Sequence, residues 1–465
     1  MAHLHIIGIC GVFMAGLAAL AKEGGWRVTG SDSGVYPPMS DFLAALGIPI
    51  SDGFRVDNLD PAPDLILVGN AISRGNVELE ALLERGLPFR SGAEWLREHV
   101  LEGRHPVVVS GTHGKTTTTS ICAWLLDRAG LEPGFLIGGI PLDFGRGARF
   151  PGGPHVVVEG DEYDTAFFDK RPKFLHYWPR TLILHNLEFD HADIYPNLEA
   201  IRAQFRLLLR AVPRNGTILA NGDDPEIEGI VAKAYSPVMR YGLSPGHPFS
   251  ARLESGDGRV WTLSREGMPL FTVHWGLIGR HNVMNGLAAA SAALLLGAAP
   301  ERVLEGLTSF QGVARRLQLR YVADGVSIYD DFAHHPTAMA TTLAGMREAT
   351  GAAARLWAVV EPRSNTMRRR IHQDRLPGAL AGADRVILAR PGSKGLTPEE
   401  LLDVDEVARQ LNAQRQGSAE VVDGAASAVG CLVQRAKPGD HVVIMSNGGF
   451  DGIHGRLQAA LNGRG

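Results

Sequence analysis

The chain has 465 residues, 45% of them apolar and 21% charged, with a formal net charge of −4 at pH 7. That length exceeds a single hydrophobic core and calls for two or three domains, and the slight acidity gives no electrostatic reason to bind nucleic acid or an anionic membrane. Three separated cysteines, Cys10, Cys122 and Cys431, form no C-x-x-C pair, which fits a reducing cytoplasm and argues against disulfides or a structural zinc.

In chain order, "IIGICGVFMAGLAALA" (6–21) comes first. It lacks the basic leader of a signal peptide and is short and glycine-rich for a membrane helix, so it reads as buried strand, turn and helix. Gly8, Gly11 and Gly16 do not follow G-x-G-x-x-G, which disfavours a dehydrogenase, although a strand–glycine–helix start still suits a pyrophosphate. "WRVTGSD" and "DLILVGNAI" continue an α/β unit that ends near residue 103.

"RHPVVVSGT" restarts the strand–loop–helix pattern and leads into "GTHGKTTTTS" (111–120). This is a phosphate loop without its usual first glycine, since Val109 stands at that position. Gly111 and Gly114 allow close backbone approach to an anion, Lys115 supplies charge for the terminal phosphates, and Thr116 offers a hydroxyl to Mg²⁺. Next, "VVVEGDEYD" delivers Glu159, Asp161, Glu162 and Asp164 at a strand end beside the loop; Glu159, nearest the strand, is the favoured metal ligand. "TLILHNLEFDHADIY" ends a further strand in Asn186, Glu188, Asp190 and His191, a cluster able to complete a metal and substrate site. "GTILANGDD" is one more strand. "GRHNVMNG" places Asn282 and Asn285 on one face of a helix, where amides can pair with a purine edge.

A third unit begins near "GVARRLQLR", with strands at "VSIYDD", "RLWAVVEP", "DRVILAR" and "DHVVIMSN". Its "YDDFAHHPTA" sets Asp331 and two histidines before a helix begun by Pro336; adjacent histidines are not a zinc spacing, and a ribose or substrate contact is expected. The basic run Arg368–Arg370 reads as a solvated helix face. The fold expected is α/β in three domains: 1–103 and 313–465 Rossmann-like, and 104–312 a phosphate-loop ATPase unit.

These motifs together resemble the Mur ligase family, ATP-dependent amide-forming enzymes of bacterial cell-wall synthesis. The residues that carry the resemblance are "GTHGKTTTT", "GICGVFMAGLA", "GNAISRGN", "EYDTAFFDKR", "NLEFDHADI", "DDFAHHPTA", "EPRSNTM" and "MSNGGFDGIH". "EPRSNTM" (361–367) is similar to members that join UDP-N-acetylmuramate to the tripeptide L-Ala-γ-D-Glu-meso-diaminopimelate; members that add L-alanine carry a "PHRYTR"-like segment there. An L-alanine-adding ligase is the alternative, and a phosphate-loop ATPase without ligase activity a further one.

The resemblance implies ATP and Mg²⁺ as cofactors. It implies an ATP site of Gly111, Thr112, His113, Gly114, Lys115, Thr116, Thr117, Asn282, Asn285, Arg316, Asp331 and His334. Thr116, Glu159 and His191 are implied as metal ligands, and Lys115, Glu159, His191 and Arg316 as catalytic. It implies a UDP-sugar site of Gly8, Cys10, Gly11, Ser31, Asp32, Asn70 and Ala71, and a peptide site of Arg363, Ser364 and Asn365, where a guanidinium suits a carboxylate. Residues 195–213 contain no lysine, so the carbamylated lysine that several family members use to help hold a second Mg²⁺ is excluded there.

Overall fold

The short apolar runs of the N-terminal region become five strands, β1 (His3–Ile7), β2 (Arg27–Asp32), β3 (Ile50–Asp52), β4 (Leu65–Val68) and β5 (Phe89–Ser91). They form a parallel sheet in the order β3-β2-β1-β4-β5. In this computed structural model the described residues are 1–36, 39–190, 194–393 and 395–463. Helix α1 (Val12–Glu23) follows the turn at Gly8, whose φ of +84° favours glycine. Its Gly16 is a packing residue, because a Cβ there would lie 2.4 Å from Leu136 Cδ1 of the next domain.

The central sheet has ten strands in the order β17-β16-β15-β14-β13-β12-β6-β9-β7-β8. Its parallel heart is β6 (His105–Ser110), β9 (His155–Gly160), β12 (Thr181–Leu184) and β13 (Thr217–Asn221). On one side lie β7 (Gly134–Leu136) and the antiparallel β8 (Ala148–Arg149), and β10 (Asp164–Ala166) and β11 (Asp169–Pro172) make a separate hairpin. On the other side the sheet runs through β14 (Val238–Gly242) to an antiparallel extension absent from the sequence reading, β15 (Phe249–Leu253), β16 (Val260–Arg265) and β17 (Met268–His274). The β16–β17 turn has positive φ at both Glu266 (48°) and Gly267 (76°), the backbone that suits a tight two-residue hairpin. Helices α2 (Lys115–Arg128) and α3 (Arg280–Leu295) pack together on one face.

The C-terminal sheet has the order β18-β19-β23-β20-β21-β22, formed by β18 (Gln318–Ala323), β19 (Val326–Asp331), β20 (Leu356–Val360), β21 (Arg385–Ala389), β22 (Ala419–Val422) and β23 (His441–Met445). Only β18 is antiparallel to its neighbour. Helix α4 (Pro336–Thr350) opens, as expected, at Pro336. The Arg368–Arg370 run is not a helix face: it sits in a turn and a single 3₁₀ turn, Arg370–His372, with Arg369 paired to Glu400 and Arg370 donating to the Leu401 carbonyl.

Burial shows how the three units are joined. Leu4, Leu17 and Trp95 of the first unit and Val108, Val156 and Phe174 of the second belong to one continuous apolar core. The C-terminal sheet carries its own apolar layers on its two faces. The first two units are therefore fused by hydrophobic burial, whereas described side-chain hydrogen bonds between the second and third are few and polar. Among the described residues no helix is long and apolar enough to cross a membrane.

Candidate active site

Strand β6 ends at Ser110, and the chain passes through Gly111 (φ +143°) and Gly114 (φ +81°) into α2. Both glycines are required, since a Cβ at Gly111 would come 2.9 Å from the Asn186 carbonyl and one at Gly114 would come 2.4 Å from Asn285 Oδ1. The loop is bolted to the segment after β12: His113 N donates to Asn186 Oδ1 (2.7 Å), Asn186 Nδ2 to the His113 carbonyl (3.0 Å), and Glu188 N to Thr112 Oγ1 (2.8 Å). The start of α2 has no side-chain cap, so its first amides and positive dipole end face the cavity, the arrangement that binds an anion.

That cavity, about 410 Å³, is walled by all three domains: Val12 and Phe13, then Lys115, Thr116, Glu159 and Tyr177, then Arg316, His334 and Asn447. Lys115 Nζ donates to Glu162 (2.9 Å) and the Gly111 carbonyl (2.7 Å). Burial works against its charge, but Glu162, Asp161 and Glu159 more than offset this and raise its pKa. Burial pushes the Glu159 carboxyl up, opposed by the Gly138 amide (2.7 Å), Arg316 and Lys115. Thr116 Oγ1 donates to Glu159 (3.2 Å) and accepts from Arg316 Nη2 (2.9 Å).

A half-buried carboxylate beside a loop hydroxyl, with cations near, fits a hard divalent ion. The other expected ligand, His191, lies outside the described residues. Glu162 was named in the sequence as one of four acidic residues, but its pairing with the phosphate-loop lysine carried no local signal.

Arg316 reaches the loop from the segment joining the second and third domains. Its flanking residues Arg315 (φ 62°) and Leu317 (φ 48°) are both left-handed without being glycine, a strained backbone that surrounding contacts hold in place. Leu317 N donates to Asp331 Oδ2 (2.6 Å), and Arg315 Nη2 donates to the Ser446 (2.7 Å) and Gly448 (2.6 Å) carbonyls. Burial drives the Asp331 carboxyl up to about 6, against two backbone amides and Arg316. Burial also lowers the Arg316 pKa.

A second cavity of about 250 Å³ adjoins the first and is lined by His113, Gly114, Thr117, Asn282, Asn285, Arg316 and Asp331. Here the two asparagines are partly spent within the fold: Asn282 Nδ2 donates to the Ile278 carbonyl, and Asn285 Nδ2 to Asn282 Oδ1. His334 faces the larger cavity instead.

The remaining predicted residues lie apart from these walls. Asp32 accepts from the Cys10 (2.9 Å) and Gly34 (3.0 Å) amides, Ser31 Oγ donates to the buried Glu78 (2.5 Å), and Gly8 N and Gly11 N are tied into the same turn. Asn70 is half-buried and Ala71 exposed beyond β4. Arg363 is half-exposed and lies on Gly448, where a Cβ would come 2.4 Å from its side chain. Ser364 Oγ accepts from Met367 N, and Asn365 Oδ1 from Arg368. These three do not reach the cavity wall; Asn447, in the neighbouring turn, does.

Three family models match successive parts of the chain: "Mur ligase family, catalytic domain" over residues 3–104, "Mur ligase middle domain" over 109–293, and "Mur ligase, glutamate ligase domain" over 315–448. The chain belongs to the Mur ligase family. As a Mur ligase it is an ATP-dependent enzyme that forms amide bonds, with the three-domain α/β architecture of that family. It is 46% identical to the UDP-N-acetylmuramate–L-alanyl-γ-D-glutamyl-meso-2,6-diaminoheptandioate ligase of Escherichia coli K12, over 98% of each chain. It is 43% identical to the ligase of that name from Haemophilus influenzae, again over 98% of each chain. A murein peptide ligase structure from Psychrobacter arcticus 273-4 superposes with a TM-score of 0.75 at 41% identity, covering 99% of both chains. A UDP-N-acetylmuramate–alanine ligase from Thermotoga maritima shares the fold, with a TM-score of 0.82 at 22% identity over 100% of both chains.

Proposed function

We propose that this Mur ligase joins the muramyl carboxylate of UDP-N-acetylmuramate to the amino group of L-Ala-γ-D-Glu-meso-diaminopimelate. The observation that carries this reading is the 46% identity, over 98% of both chains, to the E. coli ligase whose name states those substrates. In the reaction, a carboxylate oxygen attacks the γ-phosphorus of ATP and ADP leaves. The tripeptide amine then attacks the carbonyl of the acyl phosphate, expelling phosphate and losing a proton as the amide forms.

The protein's part is to position anions and offset their charge. Lys115 and the first α2 amides hold the ATP phosphates, with Arg316 at the γ-phosphate. Thr116, Glu159 and His191 would hold Mg²⁺, which would neutralise phosphate charge. The cavity bordered by Asn282, Asn285 and Asp331 takes the adenosine, with His334 beside it. Gly8, Cys10, Gly11, Ser31, Asp32, Asn70 and Ala71 receive the UDP-sugar, and Arg363, Ser364 and Asn365 the peptide carboxylates. We assign residues 1–103 to the UDP-sugar, 104–312 to ATP, and 313–465 to the peptide and to closure over the site.

The test supplies purified protein with ATP, Mg²⁺ and UDP-N-acetylmuramate, then either the tripeptide or L-alanine, and follows product mass and phosphate release. Tripeptide ligation well above alanine ligation is the expected outcome. The reverse preference makes this an L-alanine ligase and overturns the reading of residues 361–367.

A further inference from the structure

We propose that His113, Glu188 and His335 form a binding site for a transition-metal dication of the zinc class, separate from the Mg²⁺ site at Thr116 and Glu159. The three residues come from three places. His113 is in the phosphate loop, Glu188 follows β12, and His335 is the residue before α4 in the C-terminal domain. Each offers a ligand atom, and these atoms lie within 4.8 Å of one another. His113 Nε2 is 3.1 Å and His335 Nδ1 3.6 Å from the same Glu188 oxygen, separations close to those between ligands of a single tetrahedral ion.

The imidazole of His335 is only 2% exposed, yet the protein makes little use of it. Nδ1 accepts one long contact from Thr337 N (3.3 Å), and Nε2 has no partner among the described residues. Nδ1 is therefore held only weakly by the protein and can exchange this contact for a metal. Acceptance at Nδ1 puts the proton on Nε2, and a metal beside Glu188 would take the Nδ1 lone pair in place of the long Thr337 contact. His113 becomes a ligand by moving its proton to Nδ1, with no net change in charge. Glu188 already accepts from Thr337 Oγ1 (2.8 Å), with Arg375 at 4.0 Å, so its orientation is fixed before any metal arrives.

Two imidazoles and one carboxylate are a borderline-soft donor set that zinc, cobalt or nickel takes and Mg²⁺, which wants oxygen ligands, does not. His334 takes no part, because its Nδ1 is directed at the Phe332 carbonyl (2.9 Å). Because the ligands span two domains, the ion would tie the C-terminal domain to the phosphate loop.

The test titrates Co²⁺ into the full chain in excess Mg²⁺ and reads the visible absorption of tetrahedral cobalt. Expected are one such cobalt per chain, displaced by Zn²⁺, and loss of affinity of about 100-fold or more in both His335→Asn and Glu188→Gln. Asparagine still caps α4, so His335→Asn removes the ligand without removing the cap; Glu188→Gln makes the same test from the other domain should the first variant not fold. Glu159→Gln and the edge-strand variant His274→Gln are expected to keep the signal. No tetrahedral signal in the wild type, unchanged affinity in the two ligand variants, or a signal lost with Glu159→Gln would each overturn the site.

Discussion

The Lys115–Glu162 pair gives the phosphate-loop lysine a structural duty besides its chemical one, and the two can be separated. Lys115 is 14% and Glu162 3% exposed, with 2.9 Å between charged atoms. Replacing Lys115 by Met keeps the apolar stem and strands a carboxylate in the interior. Breaking a buried pair in this way costs roughly 3–5 kcal/mol, and the residual exposure of Lys115 places the expected loss near about 3 kcal/mol. At about 2–4 °C per kcal/mol for a domain of this size, the nucleotide-free midpoint falls by about 6–12 °C. Calorimetry of Lys115→Met and of Lys115→Met/Glu162→Gln, both without nucleotide, is the assay. The double variant should regain most of the lost stability and none of the activity. A single variant as stable as wild type, or a double variant no better than the single, would refute the reasoning.

Arg316→Ala should lower kcat by about 100- to 1,000-fold, as expected for losing a charge aimed at a transferring phosphoryl group; turnover within about tenfold of wild type in a phosphate-release assay would remove Arg316 from the site. Glu188 is held at about 2, with burial opposing its charge and His113 and Thr337 overcoming that penalty. A depressed carboxyl adds stability that is complete above its ordinary pKa of 4.5 and lost as pH falls through about 2. Because Glu188 is 33% exposed, the gain is about 1 kcal/mol at neutral pH. Melting curves of Glu188→Gln should therefore lie a few degrees below wild type near neutrality and converge with it on acidification, and a gap that widens in acid would contradict the assignment.

What was legible in the sequence was local. The shortened loop at 111–117 declares itself because strand, glycines, lysine and threonine act within a few residues of one another. The acidic strand end at Glu159 and the Pro336 helix start follow from equally short patterns. The β16–β17 hairpin carries a local signal as well, Glu266–Gly267 between two alternating runs. Other features depend on distance in the chain. The Glu188–Thr337 bond joins residues 149 apart, and Lys115 meets Glu162 across 47. The left-handed Arg315 and Leu317 are set by Asp331, Ser446 and Gly448, so no reading of 313–317 alone could find them. The basic run at 368–370 departs from the expected helix face because turns, not charge spacing, decide the backbone there.

The strip of chain that connects the second and third domains is itself the carrier of Arg316. Here the connection and a candidate phosphate-contacting cation are the same few residues. Swinging the C-terminal sheet away would withdraw positive charge from the phosphate loop in the same motion, so an open molecule is electrostatically disarmed as well as spread apart. Insertions at 313–317 should for that reason be tolerated far less than insertions in other surface connections of this chain, because slack there would uncouple posture from charge.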